Sequence, residues 1–280
     1  MQQGFLIQVE CPDRPGLVAA VAAALAAAGA NILDLAQHSA TSLGQFLLWA
    51  RVEAPGDRAA LEAGLAPLAA RHAMRIRVHD ALLRPRVAVL ASRTAHCLYE
   101  LLLKHADGHL ACDFVGVASN HPDLELVARH FGVPFVHLPH AGDAAAHEAA
   151  LQAQLESWGA ELVVLARYMR ILSPAFAGRW EERLLNIHHG FLPAFSGARP
   201  YHQAWDKGVK MVGATAHFAT AELDAGPIVA QDVLRVSDRA SVEELVERGK
   251  DIERRVLVEA LRLVLERRVF VSGGRTFVLE

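Results

Sequence analysis

The sequence predicts a two-domain protein of the α/β class. Its 280 residues exceed one average domain and fall short of three. The first 80 residues contain short β-rich runs separated by helix-forming stretches, whereas from Val87 onward apolar strands alternate with helices. Uninterrupted apolar strands that alternate with helices are typical of a parallel sheet covered on both faces. We therefore expect domains at residues 1–82 and 85–280.

The first domain reads as strand, helix, two strands, helix and strand. The helices are alanine-rich and lie at residues 16–28, closed by Gly29, and at residues 57–72. The strands are short and bounded by turn residues, and we expect them at residues 4–10, 30–40, 45–54 and 74–80. The order βαββαβ predicts a ferredoxin-like arrangement.

The second domain is predicted to be a doubly wound, mostly parallel sheet followed by β segments and a long helix. Its buried strands are expected at residues 86–92, 112–119, 133–138 and 161–166. Amphipathic helices separate them, at residues 94–106, 122–131 and 144–158. The C-terminal third then continues with β segments at 212–219 and 226–236, a helix near 241–267 and a hairpin at 268–280.

Composition excludes several classes of protein. A hydrophobic fraction of 52% supports a large core and excludes a disordered chain or a coiled rod. The net charge of −3 provides no basic excess for phosphates, so we expect no nucleic-acid partner. The N-terminus has no basic region of the signal-peptide type, and the longest apolar run, 17–33, is alanine-rich and contains Gly29 and Asn31. We expect a cytoplasmic protein without a membrane partner, its three scattered cysteines reduced.

The densest cluster of polar and turn residues is NIHHGFLPAFSGARPYHQA, residues 186–204, which follows a helix-like stretch ending at Leu185. In open α/β sheets, ligands bind beyond the carboxyl ends of the strands. In an extended segment Asn186 and His188 lie on one side and His189 on the other. An amide and an imidazole on one side can polarise a carbonyl group and act as general acid or base.

His217, on a predicted strand, and Asp224, on an LDAGP loop, are the further candidates. A carboxylate on such a loop can be desolvated, which raises its pKa, or it can pair with an imidazolium. Each residue also has an ordinary interpretation, His217 as a core residue and Asp224 as a turn residue. The 15 histidines make zinc an alternative, but no HExxH or Cys/His ligand spacing occurs, and we expect no metal. Spacing alone indicates a hydrolase or transferase site.

Several motifs resemble the folate-dependent formyltransferase superfamily over residues 85–280. The segment Tyr168–Pro174 resembles the part of these enzymes that lines the folate pocket. Within the superfamily, Ser119–Asp123 and the loop HHGFLPAFSGARPYHQA are similar to formyltetrahydrofolate deformylases, and the segment Cys11–Leu17 resembles the ACT domain that they carry. The motifs that carry the superfamily resemblance are Asn186-Ile187-His188, Phe191-Leu192-Pro193 with Gly197, Thr215-Ala216-His217 and Asp224-Ala225-Gly226.

The resemblance implies a hydrolase of a linear amide C–N bond that converts 10-formyltetrahydrofolate to formate and tetrahydrofolate. Such an enzyme supplies formate for purine synthesis and balances one-carbon folate pools. Folate is then the substrate, and no separate cofactor is expected. The implied catalytic residues are Asn186, His188 and Asp224. The implied folate contacts are Met169, Arg170, Ile171, Leu172 and His217.

The ACT resemblance implies an amino-acid effector, with glycine or methionine as the first candidates, and a homo-oligomer whose ligands bind where two chains meet. An isolated βαββαβ unit also leaves a sheet edge and a sheet face to cover, which favours assembly. The implied effector residues are Asp13, Pro15, Gly16, Leu17 and Asn31. The ordinary interpretation is that this segment is only a strand–helix turn.

Two other functions stay open at this point: a folate-dependent formyltransferase with a small amine acceptor, and a non-catalytic amino-acid sensor. Glycinamide ribonucleotide formyltransferases carry a glycine-rich phosphate loop after their first strand. Here that position reads LASRTAHCL, with no glycine between Val87 and Lys104, which disfavours a ribonucleotide acceptor. The chain also departs from the deformylase pattern HHSFLP, because Gly190 replaces the usual serine.

Overall fold

The computed structural model describes residues 2–140, 142–197 and 199–280. These residues form two compact units. The first unit extends to Leu83 and also contains Glu266–Gly273 and Phe277–Glu280; the second contains Arg84–Leu265 and Gly274–Thr276. The predicted fold class is confirmed, since a ferredoxin-like unit precedes a mostly parallel sheet. The domain limits 1–82 and 85–280 stay a prediction, and the grouping of the C-terminal segments with the first unit is a feature that the strand pattern did not indicate.

The first unit is a four-stranded antiparallel sheet with two helices on one face. Its helices are α1 (Leu17–Ala27) and α2 (Arg58–His72). Its strands are β1 (Gln2–Pro12), β2 (Asn31–Ala40), β3 (Gln45–Pro55) and β4 (Arg75–Asp80), arranged in the order β2-β3-β1-β4. Alternate residues of β1 and β3 bury against the helices, and this core includes Phe5, Ile7, Val9, Leu48, Val21, Leu25, Leu61 and Leu65.

The opposite face of this sheet is covered by the C-terminal hairpin, β12 (Val269–Ser272) and β13 (Arg275–Val278). Phe270 and Phe277 of the hairpin pack with Trp49. The indole N–H of Trp49 donates to the backbone oxygen of Glu266 over 2.8 Å, and the guanidinium of Arg268 lies 3.7 Å from the Trp49 ring centroid. The chain therefore fills the second sheet face of the first unit with its own C-terminal residues.

The second unit is built on a seven-stranded sheet. Its strands are β5 (Arg86–Ala91), β6 (Asp113–Ser119), β7 (Phe135–His137), β8 (Leu162–Ala166), β9 (Leu184–His188), β10 (Met211–Phe218) and β11 (Ile228–Arg235). They are arranged in the order β11-β10-β9-β8-β5-β6-β7. Strands β5 to β9 run parallel to one another, and β10 and β11 complete the sheet in antiparallel pairs. The helices are α3 (His96–Ala106), α4 (Glu125–His130), α5 (Ala144–Ser157), α6 (Pro174–Arg179), α7 (Pro200–Asp206) and α8 (Val242–Leu265).

The prediction of a helix-like stretch ending at Leu185 is wrong. Helix α6 begins after Ser173, whose hydroxyl accepts from the Phe176 N–H, and it ends at Arg179. Residues 184–188 instead form β9, which pairs parallel with β8 and antiparallel with β10. The short sequence LLNIH has too few residues for its hydrophobic period to distinguish a strand from a helix. The segment is a strand because it pairs with a neighbouring strand on each side.

Candidate active site

The candidate active site is an open cleft of about 380 Å³ at the carboxyl ends of β8 and β9. The two strands are parallel, so they deliver their final residues to the same edge of the sheet. Strand β10 flanks β9 on the other side. Every residue predicted to be catalytic or to contact folate lines this cleft: Asn186, His188, Asp224, Met169, Arg170, Ile171, Leu172 and His217. Ala198, within the loop that follows β9, lies outside the described residues.

Asn186 is oriented by His217 on the neighbouring strand. Its amide nitrogen Nδ2 lies 3.0 Å from His217 Nε2, while His217 Nδ1 lies 3.0 Å from the backbone oxygen of Phe218. Because a carbonyl oxygen only accepts, Nδ1 carries the proton and Nε2 accepts from the Asn186 amide. Burial lowers the pKa of His217, although the Phe218 hydrogen bond and the Asp224 charge act in the opposite direction. The ring is therefore neutral and fixes the amide of Asn186 with its N–H groups as donors.

His188 is buried and has an acceptor opposite each ring nitrogen. Its Nδ1 lies 3.3 Å from Oδ1 of Asp224, and its Nε2 lies 2.7 Å from the backbone oxygen of Phe195. The second carboxylate oxygen of Asp224 accepts a hydrogen bond of 2.9 Å from the Gly197 N–H. Only the imidazolium form of His188 can donate to both partners at once.

Asp224 occupies the loop after β10 in a left-handed backbone conformation, with φ of 57°. Aspartate tolerates this region better than most residues. Burial raises the pKa of Asp224, but the hydrogen bonds from His188 and from the Gly197 N–H, with the His188 charge, outweigh it, so the pKa lies below its ordinary value. Of the two alternatives drawn from the sequence, a raised pKa or a pair with an imidazolium, the geometry favours the pair.

The Met169–Leu172 segment forms an apolar side of the cleft. Met169 is 58% exposed and Ile171 is 77% exposed, which is unusual for large apolar side chains that line a concave surface. The segment is tied to the end of β5, because the Met169 N–H donates to the Ser92 hydroxyl over 3.0 Å. The backbone of the segment is thus held while its apolar side chains face open space.

Arg170, in the same segment, contacts His140. Its Nη2 lies 2.6 Å from Nε2 of His140, which accepts this hydrogen bond. Arg170 is exposed and His140 is half-buried, so the pair adds polar character to the outer part of the cleft next to the apolar surface of Met169 and Ile171.

Sequence reasoning missed two residues of the cleft wall, Arg167 and His189. The prediction that His189 points away from His188 is wrong: both line the cleft, and their ring centroids lie 5.4 Å apart. The alternation of an extended chain stops where β9 ends, at His188. Burial, followed by the Arg167 charge, lowers the pKa of His189 to about 3, so this ring is neutral at pH 7. The position of Arg167 just after the most apolar strand could have indicated its place at the cleft.

The predicted effector residues lie in the first unit, between β1 and α1. Asp13, Pro15, Gly16 and Leu17 line one open depression of about 800 Å³. Asn31, at the start of β2, is not among the residues that line it. Four of the five predicted residues are therefore brought together.

Side chains that could coordinate a metal occur at one place in the described part of the chain. Donor atoms of His96, Cys97 and Glu253 lie within 4.8 Å of one another. The expectation that the enzyme uses no metal stays a prediction. Within the described residues, no helix is both long and apolar enough to cross a bilayer.

Comparison with known proteins agrees with this architecture. Residues 85–261 match the family described as formyl transferase, and residues 5–63 match the ACT domain. The chain is 46% identical, over 96% of its length and 89% of the relative, to a formyltetrahydrofolate deformylase of Mycobacterium tuberculosis (strain ATCC 25618 / H37Rv). It is also similar to the crystal structure of a formyltetrahydrofolate deformylase from Pseudomonas syringae pv. tomato str. DC3000, with a TM-score of 0.96 and 39% identity, covering 100% of this chain and 95% of that one.

A solved glycinamide ribonucleotide transformylase 1 from Symbiobacterium toebii is less similar. It matches with a TM-score of 0.67 and 36% identity, covering 70% of this chain and 95% of that one. The ACT match and the full-length agreement thus separate the deformylases from the transformylases among these relatives. The chain belongs to the formyltetrahydrofolate deformylase family.

Proposed function

We propose that this enzyme hydrolyses 10-formyltetrahydrofolate to formate and tetrahydrofolate. The observation that carries the proposal is that two hydrogen-bonded pairs, Asn186 with His217 and His188 with Asp224, meet in one cleft beside the apolar Met169–Leu172 segment. An amide donor, an imidazole and a carboxylate can together carry acyl transfer to water, by oxyanion stabilisation and general acid–base catalysis. The formate released would supply purine synthesis and balance one-carbon folate pools.

Folate binding is assigned to the Met169–Leu172 segment. Met169, Ile171 and Leu172 provide apolar contact for a planar heterocycle, and the backbone there can pair with its donors and acceptors. The cleft volume of about 380 Å³ suits one small ligand. Folate enters this scheme as the substrate, and the mechanism involves no further cofactor.

The chemistry is assigned to Asn186, His188 and Asp224. Asn186 donates one amide hydrogen to the formyl oxygen while His217 accepts the other. His188, as the imidazolium, supplies a second donor once its Nε2–H turns from the Phe195 carbonyl to the developing oxyanion. Asp224 holds the charge on His188 and orients the attacking water; its lowered pKa makes it a weak base, which favours orientation over full deprotonation.

The leaving group is the folate nitrogen. Water adds to the formyl carbon, the C–N bond breaks, and the nitrogen takes a proton through the His188–Asp224 pair. Formate then departs as the second product. Removing one oxyanion donor, as in Asn186→Ala, is expected to lower kcat by roughly 10²–10³-fold.

Regulation is assigned to the depression lined by Asp13, Pro15, Gly16 and Leu17, with Asn31 supplied from a second chain of a homo-oligomer. Glycine and methionine are the first candidate effectors. Titration of each amino acid should raise the melting temperature and change the rate of formate release. If neither quantity responds to any amino acid, this loop is only a strand–helix turn.

The activity is tested by incubating the enzyme with 10-formyltetrahydrofolate in buffer and measuring formate and tetrahydrofolate. Equal amounts of the two products are expected without any added amine. Arg170→Ala should mainly weaken folate binding, because its side chain lies at the outer part of the cleft. Formyl transfer to an added amine with little free formate would instead support the formyltransferase alternative.

A further inference from the structure

A buried network of charged and polar side chains is centred on Glu253 of α8. The carboxylate is 1% exposed. It accepts hydrogen bonds from His96 Nε2 over 2.8 Å and from the Tyr201 hydroxyl over 3.1 Å, and Arg167 Nε lies 3.4 Å away. Burial raises the pKa of Glu253, but the His96 hydrogen bond and the Arg167 charge outweigh it and lower the pKa, so the group is ionised. The proposed mechanism makes no use of this carboxylate.

Arg167 connects the network to the active-site cleft. The last paired residues of β8 and β9 are Leu165 and Asn186, and Arg167 comes directly after the end of β8. Arg167 and His188 both line the cleft. Arg167 also adopts a left-handed conformation, with φ of 60°, that is uncommon for a long side chain. Its side chain is only 14% exposed and lines the cleft wall.

The packing of α8 accommodates this network. Gly249 precedes Glu253 by one helical turn and therefore shares its face. A Cβ atom at Gly249 would collide with the ring and hydroxyl of Tyr201. Glycine at this position is thus what lets Tyr201 lie against the helix and reach the Glu253 carboxylate.

A metal ion is a poor occupant for this cluster, although His96, Cys97 and Glu253 present donor atoms within 4.8 Å of one another. The Arg167 guanidinium already lies against Glu253 and would repel a cation. Burial also raises the pKa of Cys97 well above its ordinary value, which disfavours the thiolate that metals require.

We propose that Arg167, held from behind by the Glu253–His96–Tyr201 network, closes the cleft next to the formyl carbon and so restricts the formyl acceptor to water. The proposal rests on the proposed hydrolysis. A cleft of about 380 Å³ lies near the lower limit for a single small ligand, so the bound folate leaves little space for a second substrate. The Arg167 guanidinium forms one wall of that space, and the Asp224 carboxylate lines the same cleft.

The test uses hydroxylamine as a small acceptor. Its nitrogen attacks the formyl carbon, the bond from that carbon to the folate nitrogen breaks, and a proton from hydroxylamine passes to the folate nitrogen. The products are N-hydroxyformamide and tetrahydrofolate, and no oxidant or reductant is needed. The measured quantity is the ratio of N-hydroxyformamide to formate, after subtraction of the rate without enzyme.

Two double variants separate the size of Arg167 from its charge. Arg167→Ala with Glu253→Gln opens the wall and removes both charges together, which avoids a buried unpaired carboxylate. Arg167→Met with Glu253→Gln removes the same charges but keeps a long side chain. We expect the alanine pair to raise the product ratio by roughly 10-fold or more and the methionine pair to keep the wild-type ratio, since a 1.4 kcal/mol preference corresponds to tenfold.

Other outcomes overturn the proposal. An unchanged ratio of N-hydroxyformamide to formate in the double variant with Arg167→Ala overturns it. An equal rise of this ratio in both double variants also overturns it. Loss of hydrolysis in both folded pairs would mean that the Arg167 charge acts on the reaction itself. If the alanine pair does not fold, Arg167→Lys keeps the charge opposite Glu253 with a narrower side chain, and an unchanged ratio there also overturns the proposal. Failure of the proposed function is distinct, because wild-type enzyme would then release no formate without hydroxylamine.

Discussion

Asp224 is the residue whose substitution most directly tests the proposed mechanism. Asp224→Asn keeps the shape of the side chain but removes the negative charge that lies 3.3 Å from His188 Nδ1. The His188 imidazolium then loses its charged partner, and the attacking water loses its hydrogen-bond acceptor. We therefore expect kcat to fall by roughly 10²-fold or more. KM should change little, because the apolar folate contacts belong to the separate Met169–Leu172 segment.

The matched control for this measurement is Asp238→Asn, an exposed aspartate paired with Lys210. It should leave both kinetic constants unchanged, since exposed ion pairs contribute little. Near-wild-type hydrolysis by Asp224→Asn would show that Asp224 is only a turn residue, and the base would then be sought elsewhere, first at His217.

His189 provides a prediction about stability and pH. Burial lowers its pKa to about 3 in the folded protein, whereas the unfolded chain binds this proton near pH 6.5. The stability from neutral His189 is fully present above pH 6.5 and is lost as the pH falls from there toward 3, at up to about 1.4 kcal/mol per pH unit. His189→Gln should therefore flatten the dependence of the free energy of unfolding on pH in urea titrations near pH 7 and near pH 5.

The exposed His202 is the comparison for that experiment. His202→Gln should retain the wild-type slope, because this substitution on the surface leaves the His189 ring and its surroundings in place. Equal slopes for wild type and His189→Gln would contradict the lowered pKa of His189 in the folded protein.

At the residue scale, the sequence predicted the groups that carry recognisable motifs and missed those placed by strand pairing. Asn186, His188 and Asp224 stand in motifs, and all three line the cleft; their catalytic roles stay a prediction. Arg167 has no motif of its own, and its place at the cleft depends on where β8 ends. Glu253 is recognisable from the sequence pattern, because a carboxylate is unusual in the buried stripe of a helix. The other buried residues of this stripe in α8 include Leu245, Ile252, Val256, Leu257 and Leu261.

At the scale of elements, the loop after β9 leaves no space for a side chain at Gly190. A Cβ atom there would lie 2.7 Å from the backbone oxygen of Phe195 and 2.8 Å from Nε2 of His188. Gly190→Ala should thus displace the loop or the imidazole, lowering stability by roughly 1–3 kcal/mol, as overpacking does, and lowering kcat as well.

Gly178 in α6 is the matched control for this substitution, since a Cβ there meets nothing within 4 Å. Gly178→Ala should be neutral or stabilise by up to about 1 kcal/mol, the difference in helix propensity. Thermal melts and kcat for both variants decide the question. A Gly190→Ala enzyme as stable and active as Gly178→Ala would mean that the loop moves freely.

Most elements were predictable because their apolar period and bounding turns agree. β2 and β3 follow this rule, and they pair as the predicted hairpin. β9 is an exception, because five residues are too few to establish an apolar period. It is a strand because it pairs with β8 on one side and with β10 on the other. The segment predicted as one helix after Pro122 is a 3₁₀ turn at Pro122–Leu124 followed by the short α4. Local propensity therefore predicts secondary structure least well where pairing with other strands determines it.

At the scale of the whole chain, the C-terminal hairpin changes the argument for assembly. The sequence reasoning assumed that the first unit leaves both a sheet face and a sheet edge to cover. Phe270, Phe277 and Leu279 already cover one face, next to Trp49. No pattern in the hairpin itself indicates this, because contact between segments more than 200 residues apart depends on the complete fold.

The edge strand β2 leads to the final prediction. β2 is ten residues long, lies at the end of the sheet order, and carries Leu33, which is 48% exposed. A long edge strand with an exposed leucine is a template for a second copy of the chain. Light scattering at micromolar concentration should therefore give at least twice the chain mass of 30.3 kDa.

Leu33→Glu tests which surface forms this contact, and Leu82→Glu is its control, because Leu82 is 82% exposed and lies outside the strands. A charge buried at an interface is costly, so Leu33→Glu should shift the mass toward 30.3 kDa while Leu82→Glu keeps the wild-type mass. Because the effector is expected where two chains meet, Leu33→Glu should also lose any rise in melting temperature caused by glycine or methionine. A wild-type enzyme that is monomeric throughout this range would remove the basis for the effector site as well, since Asn31 does not line the depression of its own chain.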